Sequence, residues 1–223
     1  MKKIKRAIIS VSDKKNLVSI LKILKKYKVE IISSGGTNKK IKKLGYKCKE
    51  VSNYTQSPEI LDGRVKTLNP KVHAGILNVR NNKNHQKEMK KNNYKNIDLV
   101  IVNFYPFENT INKTKNHKMI IENIDIGGPA MVRAAAKNYK DVVVITNSGQ
   151  YKNLINEIEI NKGSTSLEFR EKLSEEAFMQ TAYYDAVVSE YFNNKLKNFF
   201  PSKKIIYSNL IEKLRYGENP HQD

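Results

Sequence analysis

The sequence predicts an α/β protein in which a parallel sheet carries helices on both faces and is followed by a helical C-terminal extension. Short β-branched runs alternate with helical patterns along the first part of the 223-residue chain, and this alternation is typical of βαβ units. The runs are almost continuously apolar, as expected of parallel strands that are buried on both faces. From Ser166 onward, the pattern becomes helical over a long segment.

The elements follow in chain order, and the predicted strands are Lys5–Ser12, Val29–Gly36, a weaker candidate at Cys48–Ser52, Ile97–Phe107 and Asp141–Asn147. A helix is predicted after the first strand because apolar residues recur at helical spacing at Leu17, Ile20, Leu21 and Leu24. Thr37 is predicted to be the N-cap of a second, short helix. Pro106 is expected to end the strand Ile97–Phe107, and the tract Gly63–Leu77 is predicted to be a loop.

The net charge of +19 and the pI near 9.8 raise the possibility of a nucleic-acid-binding protein. The lysines, however, are spread along the chain, and no zinc-finger spacing, basic heptad array or aromatic RNA-binding signature is present. We therefore expect no nucleic-acid partner and interpret the charge as a solvated lysine-rich surface. Its positive field would help to gather small anions.

Other features limit the classes of protein further. No apolar run reaches the roughly 18–20 residues that a membrane span requires, and the start of the chain lacks a secretory signal pattern. Cys48 is the only cysteine, which excludes an intramolecular disulfide and a cysteine-based metal cluster. The four histidines have no metal-binding spacing, so we expect no metal site. The missing signal pattern and the single cysteine lead us to expect a cytoplasmic location.

Candidate binding residues cluster where predicted strands end, which is where open α/β sheets bind ligands. The turns Ser10–Lys14 and Ser33–Thr37 each join a strand to a helix and carry hydroxyls, glycines or an ammonium suited to a phosphate. The turn Ser33–Thr37 has neither Walker nor GxGxxG spacing, which favours a mononucleotide or sugar phosphate over ATP or NAD. The alternative is that these residues, Ser12 or Asp13 in the first turn, only cap helices.

Two further places carry chemistry. Asn103 and Tyr105 could donate hydrogen bonds at a strand end, although they could equally form a polar and aromatic plug. Asp125 precedes a Gly-Gly pair and an alanine-rich helix on which Arg133 and Lys137 share a face. A partly buried lysine near this carboxylate could transfer protons, and the alternative is a closely packed structural helix with two solvated cations.

Several tracts together resemble one family, the inosine monophosphate (IMP) cyclohydrolase region of the bifunctional purine biosynthesis proteins. The matching tracts occur in order over nearly the whole chain: SVSDK (10–14), SSGGT (33–37), GRVKTLNPKVHAGIL (63–77), NFYPF (103–107), IDIGGPAMVRAAAKN (124–138), EAFMQTAYYDAVVSEYF (176–192) and LRYGENPHQ (214–222). Asn69 departs from the family, which usually has His in KTLHP.

The resemblance implies a methylglyoxal-synthase-like fold and a cofactor-free cyclisation of a purine ribotide to IMP. It implies the catalytic residues Lys66, Tyr105, Asp125 and Lys137: Lys66 stabilises an oxyanion, Tyr105 donates a hydrogen bond, Asp125 activates the carboxamide and Lys137 moves protons. It also implies substrate contacts from Ser12, Asp13, Lys14, Ser34, Gly35, Gly36, Thr37, Arg64, Thr67, Asn103, Phe104, Ile126 and Gly127.

The resemblance further implies a second activity in the full family, formyl transfer from 10-formyltetrahydrofolate by a domain that begins at LRYGENPHQ. Arg215 and Tyr216 match ribotide-binding residues of that domain, most of which is absent here, so formyl transfer by this chain is not expected. We expect a cyclohydrolase domain over residues 1–147, its helical extension over 148–200, and a linker with the start of the formyltransferase domain over 201–223. A homodimer is also expected.

Three other functions compete with the cyclohydrolase. A methylglyoxal-synthase-like effector sensor would use similar phosphate loops without catalysis, but it has no need for the set Lys66, Tyr105, Asp125 and Lys137. Methylglyoxal synthase itself is disfavoured by GRVKTLNP and by the C-terminal helices. A nucleic-acid-binding protein rests on the net charge alone.

Overall fold

The structure is a computed structural model, and it describes residues 1–210 and 212. Its strands are β1 (Lys2–Lys3), β2 (Arg6–Val11), β3 (Glu30–Ser33), β4 (Lys49–Glu50), β5 (Leu99–Asn103), β6 (Val143–Ile145) and β7 (Ser164–Thr165). Its α-helices are α1 (Leu17–Lys26), α2 (Gly35–Lys43), α3 (Val51–Thr55), α4 (Pro70–Leu77), α5 (Lys83–Lys91), α6 (Phe107–Lys113), α7 (His117–Glu122), α8 (Gly127–Lys137), α9 (Tyr151–Ile160) and α10 (Leu167–Lys195). Within the described residues, no helix has an apolar stretch long enough to cross a membrane.

A parallel sheet of five strands, in the order β4-β3-β2-β5-β6, forms the centre of the molecule. The chain builds from β2 outward to β3 and β4 on one side and then returns to place β5 and β6 on the other. The strand order therefore reverses between β2 and β5, which is the position where open α/β sheets bind ligands. A separate antiparallel pair joins β1 to β7.

Helices cover both faces of this sheet. Successive strand residues point to opposite faces, and the neighbours Ile8 and Ile9 of β2 are both fully buried, as are Val144 and Ile145 of β6. Among the helices, α1 packs against α9, whereas α8 packs against α4 and α10 and against the strands β5 and β6. The predicted α/β class, with its parallel sheet and helical C-terminal part, is confirmed.

The predicted strands are present but shorter, and the prediction for Ile97–Phe107 was wrong at its C-terminal end. The strand ends at Asn103, and Phe107 is already the first residue of α6. Proline has no N–H to donate to a sheet and restricts the residue before it. Pro106 therefore ends the pairing earlier than the apolar run suggests, and the chain turns over Phe104–Pro106.

The prediction of a loop over Gly63–Leu77 was also wrong, because residues 70–77 form α4. Asn69 is the N-cap of this helix, and its side chain accepts a hydrogen bond from the Lys71 N–H at 2.8 Å. Pro70 occupies the first helical position, which suits a residue without an N–H. The Asn-Pro pair was therefore a readable helix-start signal, and the departure at Asn69 gives the helix an ordinary cap.

Arg170 anchors the long helix α10 to the rest of the fold. Only 2% of this residue is exposed, and burial of a charged group is costly unless its donors are bonded. The guanidinium donates to the main-chain oxygens of Tyr139 at 2.7 Å, Thr165 at 2.6 Å and Lys140 at 3.1 Å. These hydrogen bonds join α10 to the turn after α8 and to β7.

We predict that Arg170→Met lowers the free energy of unfolding by about 3 kcal/mol or more, because it leaves buried carbonyl groups without donors. The matched control is Arg133→Met. Arg133 is exposed on α8, with its guanidinium 5.6 Å from the Phe178 ring centroid, and its loss should cost less than about 1 kcal/mol. Urea unfolding of both variants measures the difference, and equal losses would contradict the anchoring role of Arg170.

Candidate active site

The turn after β2 is shaped by Asn103, which ends the neighbouring strand β5. Asn103 Oδ1 accepts hydrogen bonds from the main-chain N–H groups of Ser12 at 2.6 Å and Asp13 at 3.1 Å, and it lies 2.8 Å from the Ser12 hydroxyl. Asn103 Nδ2 donates back to the Asp13 carbonyl at 3.0 Å, and Lys14 Nζ donates to the Ser12 carbonyl at 3.1 Å. Asn103 thus holds the turn, and Ser12, Asp13 and Lys14 are gathered in it.

The alternative interpretation of this turn, in which Ser12 or Asp13 caps α1, was wrong. The helix begins at Leu17 with Asn16 as its N-cap. Asp13 Oδ1 instead accepts a hydrogen bond from the Lys15 N–H at 3.0 Å. The Ser12–Lys14 turn therefore precedes the helix as a separate feature at the carboxyl end of β2.

The second predicted turn forms the N-terminus of α2. The helix begins at Gly35 with Ser34 as its N-cap, so the prediction that Thr37 is the cap was wrong. The Thr37 hydroxyl donates to the Val11 carbonyl at 2.9 Å and accepts from the Val11 N–H at 3.1 Å, which fastens α2 to the end of β2. The first N–H groups of a helix have no intrahelical acceptor and lie at the positive end of its dipole. Gly36 and Thr37 therefore present main-chain N–H groups at this site.

Lys66 and Thr67 connect the N-termini of two helices. A Cβ atom built on Gly35, at the start of α2, would lie 3.2 Å from Lys66 Nζ. A Cβ atom built on Gly127, at the start of α8, would lie 2.5 Å from Thr67 Oγ1. Lys66, which is 18% exposed, also forms an ion pair with Glu59. The close approach that these glycines allow brings a cation and a hydroxyl between two positive helix ends.

Asp125 lies immediately before α8, and its carboxylate folds back onto the start of that helix. Asp125 Oδ1 accepts a hydrogen bond from the Gly128 N–H at 2.8 Å. Burial raises the pKa of Asp125 above its ordinary value, while the main-chain N–H groups of Gly128 and Tyr105 act on this pKa in the opposite direction. A partly buried carboxyl with a raised pKa is a candidate for proton transfer.

Lys137 lies apart from this group within one chain. It is the exposed last residue of α8, and a rise of about 1.5 Å per residue places it about 15 Å from the helix start beside Asp125. The nearby Asp141 forms an ion pair with Lys2, which precedes β2 in the chain. This end of α8 therefore lies near the amino ends of the parallel strands, whereas the site lies at their carboxyl ends. The predicted proton transfer by Lys137 has no support from the geometry of a single chain.

The remaining predicted residues lie at the margins of the group. Arg64 is exposed and forms an ion pair with Glu122 on α7. Tyr105 and Ile126 flank Asp125 and are 52% and 60% exposed. Phe104 packs its ring edge-on against Tyr184, with 5.1 Å between the ring centroids, and it therefore belongs to the packing beneath the site.

The sequence reasoning missed Tyr184. Its hydroxyl accepts a hydrogen bond from the Asp125 main-chain N–H at 2.7 Å. The residue lies in a tract that matches the family, but helical spacing alone does not indicate which distant N–H a tyrosine will meet. Among residues 1–210 and 212, no group of three or more His, Cys, Asp or Glu side chains is placed to hold a metal ion. Arg215 and Tyr216, predicted to bind a ribotide, lie outside the described residues.

Comparisons with known proteins agree with the motifs. The model of the MGS-like domain matches residues 16–130, and a model described as the AICARFT/IMPCHase bienzyme matches residues 135–223. The bifunctional purine biosynthesis protein PurH of Bradyrhizobium diazoefficiens is 49% identical over 221 residues, which cover 99% of this chain and 42% of that protein. PurH of Leptospira biflexa serovar Patoc is 48% identical over 100% of this chain and 44% of its own.

A solved structure, described as the crystal structure of ForH, is similar with a TM-score of 0.75 and 31% identity. The match covers 85% of this chain and 99% of that one. The chain spans less than half the length of the curated relatives given above. The family resemblance is confirmed: this chain belongs to the MGS-like domain family and to the family of bifunctional purine biosynthesis proteins.

Proposed function

We propose that this chain is an IMP cyclohydrolase, which closes the second ring of the purine base in 5-formamidoimidazole-4-carboxamide ribotide. The observation that carries the proposal is the bridge between two helix N-termini, in which Lys66 Nζ lies beside Gly35 and Thr67 lies against Gly127. Next to this bridge is the turn that Asn103 holds. The family relationship supports an enzyme of purine biosynthesis, and the geometry supports a site for an anionic ribotide.

The 5′-phosphate is assigned to the region between the two strand-end turns. The Ser12–Lys14 turn supplies an ammonium and main-chain groups, and the start of α2 supplies N–H groups at the positive end of a helix dipole. Thr37 braces these two turns because its hydroxyl is bonded to Val11. Arg64, Thr67, Ile126 and Gly127 surround the space assigned to the ribose and base.

The chemistry is assigned to Asp125, Lys66 and Tyr105. Asp125 accepts a proton from the carboxamide nitrogen, which attacks the formyl carbon of the same molecule. Lys66 stabilises the negative charge that develops on the formyl oxygen, and the Tyr105 hydroxyl donates to the same region. That oxygen leaves as water with one hydrogen from each of the two nitrogens, so the atoms balance without a cofactor. Because both reacting groups belong to one ribotide, the enzyme's task is to hold them together and to stabilise charge.

From the resemblance we also predict a homodimer, a role for Lys137 in proton transfer and domain boundaries at residues 147 and 200. Formyl transfer from 10-formyltetrahydrofolate is not proposed for this chain, which spans 42–44% of the two PurH relatives compared above.

We predict that Lys66→Met lowers kcat for ring closure by about 10²–10³-fold, because it removes the main charge that stabilises the oxyanion. Ultraviolet absorbance follows IMP formation from the formylated ribotide without folate. Lys71→Met is the matched control: this lysine lies on the same segment, but its Nζ lies 5.3 Å from the Tyr54 ring centroid. Equal losses in both variants would contradict the role of Lys66.

We predict that the rate of ring closure falls as the pH is lowered, and that this fall occurs at a pH above the ordinary carboxyl pKa of about 4. The ionised Asp125 is the active form, and burial raises its pKa, so activity is present above that raised pKa and is lost as the pH falls through it. A profile of kcat/KM against pH measures this limb. In Asp125→Asn, the rate should be about 10²-fold or more below that of the wild type, and its pH profile should lack the fall on the acid side. If this fall persists in the variant, Asp125 is not the proton acceptor.

We predict that Gly35→Ala weakens IMP binding about tenfold, because the added Cβ crowds Lys66 Nζ at the phosphate turn. The matched control is Gly45→Ala: Gly45 has φ +80° and Gly35 has φ +51°, but a Cβ at Gly45 meets no atom within 4 Å. Both variants should lose about 1 kcal/mol of stability from left-handed strain. Calorimetric titration with IMP separates them, and equal affinity in the two variants would remove Gly35 from the site.

The second candidate function is a non-catalytic nucleotide or effector sensor, which the phosphate turns alone would also serve. The partly buried Asp125 with its raised pKa favours the enzyme, since a sensor does not require a group poised for proton transfer. Tight IMP binding by the wild-type chain, without any conversion of the formylated ribotide, would establish the sensor and refute the cyclohydrolase.

A further inference from the structure

Tyr184 lies on α10, outside the sheet on which the site is built. It is 6% exposed and belongs to a small buried cluster, separate from the main core, that includes Phe107, Ile120 and Val187. Burial also raises the pKa of its phenol to about 12, so the hydroxyl stays protonated in the neutral range.

The Tyr184 hydroxyl accepts the hydrogen bond from the main-chain N–H of Asp125 at 2.7 Å. The carboxylate of the same residue accepts from the Gly128 N–H at 2.8 Å. Asp125 is therefore held from two sides: its main chain is bonded to α10, and its carboxylate is bonded to the start of α8.

The Tyr184 ring contacts that same turn. Its edge-on contacts have centroid distances of 5.1 Å to Phe104 and 6.2 Å to Phe107. Phe104 follows Asn103, which holds the Ser12 turn, and precedes Tyr105. One side chain from the helical extension thus contacts two of the three segments that carry groups assigned to the reaction, those of Asp125 and Tyr105.

We propose that Tyr184 is a positioning residue, which holds the main chain of Asp125 beside the turn that carries Tyr105 and thereby makes α10 part of the reaction centre. Its kinetic consequence rests on the proposed ring closure. Its structural consequence, the restraint of the Asp125 main chain, can be measured whether or not the chain is a cyclohydrolase.

The adjacent Tyr183 provides a matched control. Its hydroxyl donates to Glu108 Oε1 at 2.8 Å and accepts from Asn209 Nδ2 at 3.2 Å, and its ring packs against Tyr207. These contacts are with α6 and with the segment after α10, and they involve none of the residues assigned to the reaction. Tyr183→Phe therefore removes one phenol hydroxyl from the same helix without touching Asp125.

The test compares Tyr184→Phe and Tyr183→Phe in the 223-residue chain. It is made at a temperature below the thermal unfolding midpoint of each variant. For Tyr184→Phe we expect kcat for ring closure to fall about tenfold or more while KM changes less than about twofold, because orientation is lost but the phosphate contacts remain. IMP affinity, measured by calorimetry, should change less than about twofold. Tyr183→Phe should keep the wild-type kcat and KM.

Hydrogen exchange at the Asp125 amide is the second measurement. Loss of the acceptor should speed this exchange about tenfold in Tyr184→Phe and leave it unchanged in Tyr183→Phe. An exchange rate equal to wild type in Tyr184→Phe, or a kcat that stays within twofold of wild type, overturns the proposal. If the wild-type chain does not close the ring, the proposed function fails, and amide exchange alone decides the role of Tyr184.

Discussion

The parallel pairing of β2 with β5 is the constraint on which the site depends. Val11 and Asn103 are register partners at the carboxyl ends of these strands, so the turn after β2 meets the end of β5. A slip of one residue would turn every side chain of the strand to the opposite face, where it would have to pack against a different set of helices. The register is therefore strongly determined, and Asn103 reaches Ser12 and Asp13 as a consequence of core packing.

Around this fixed point, the site places unlike charges next to backbone groups. Lys66 lies beside the start of α2, next to Thr67 at the start of α8, and forms an ion pair with Glu59. Asp125 is partly buried and accepts a hydrogen bond from the Gly128 N–H without a cation as partner. The result is one region with an ammonium and helix N-termini suited to a phosphate or oxyanion, and one carboxyl suited to a proton. This separation matches a reaction that moves protons and charge within a single anionic molecule.

The helical extension contributes to the fold and, in our proposal, to the chemistry. Arg170 at the beginning of α10 binds main-chain oxygens beside α8 and β7, and Tyr184, further along the same helix, binds the main chain of Asp125. A single helix thus bonds to the chain on either side of α8, at Asp125 before it and at Tyr139 after it. In this proposal, the functional segment of the chain extends beyond the sheet and its connecting helices.

The sequence by itself determined the α/β class, the succession of the main strands along the chain and the two strand-end turns, because these depend on local apolar runs and on Gly, Ser and Thr at particular positions. Motifs also made Lys66 and Asp125 candidates for the site. Only the tertiary structure decided that Thr37 braces β2, that Phe104 packs beneath the site, that Lys137 lies at the far end of α8 and that Tyr184 holds Asp125. Each of these depends on which distant group a side chain meets. Helix length, strand register and packing determine which group that is, and the residue spacing within one segment does not reveal it.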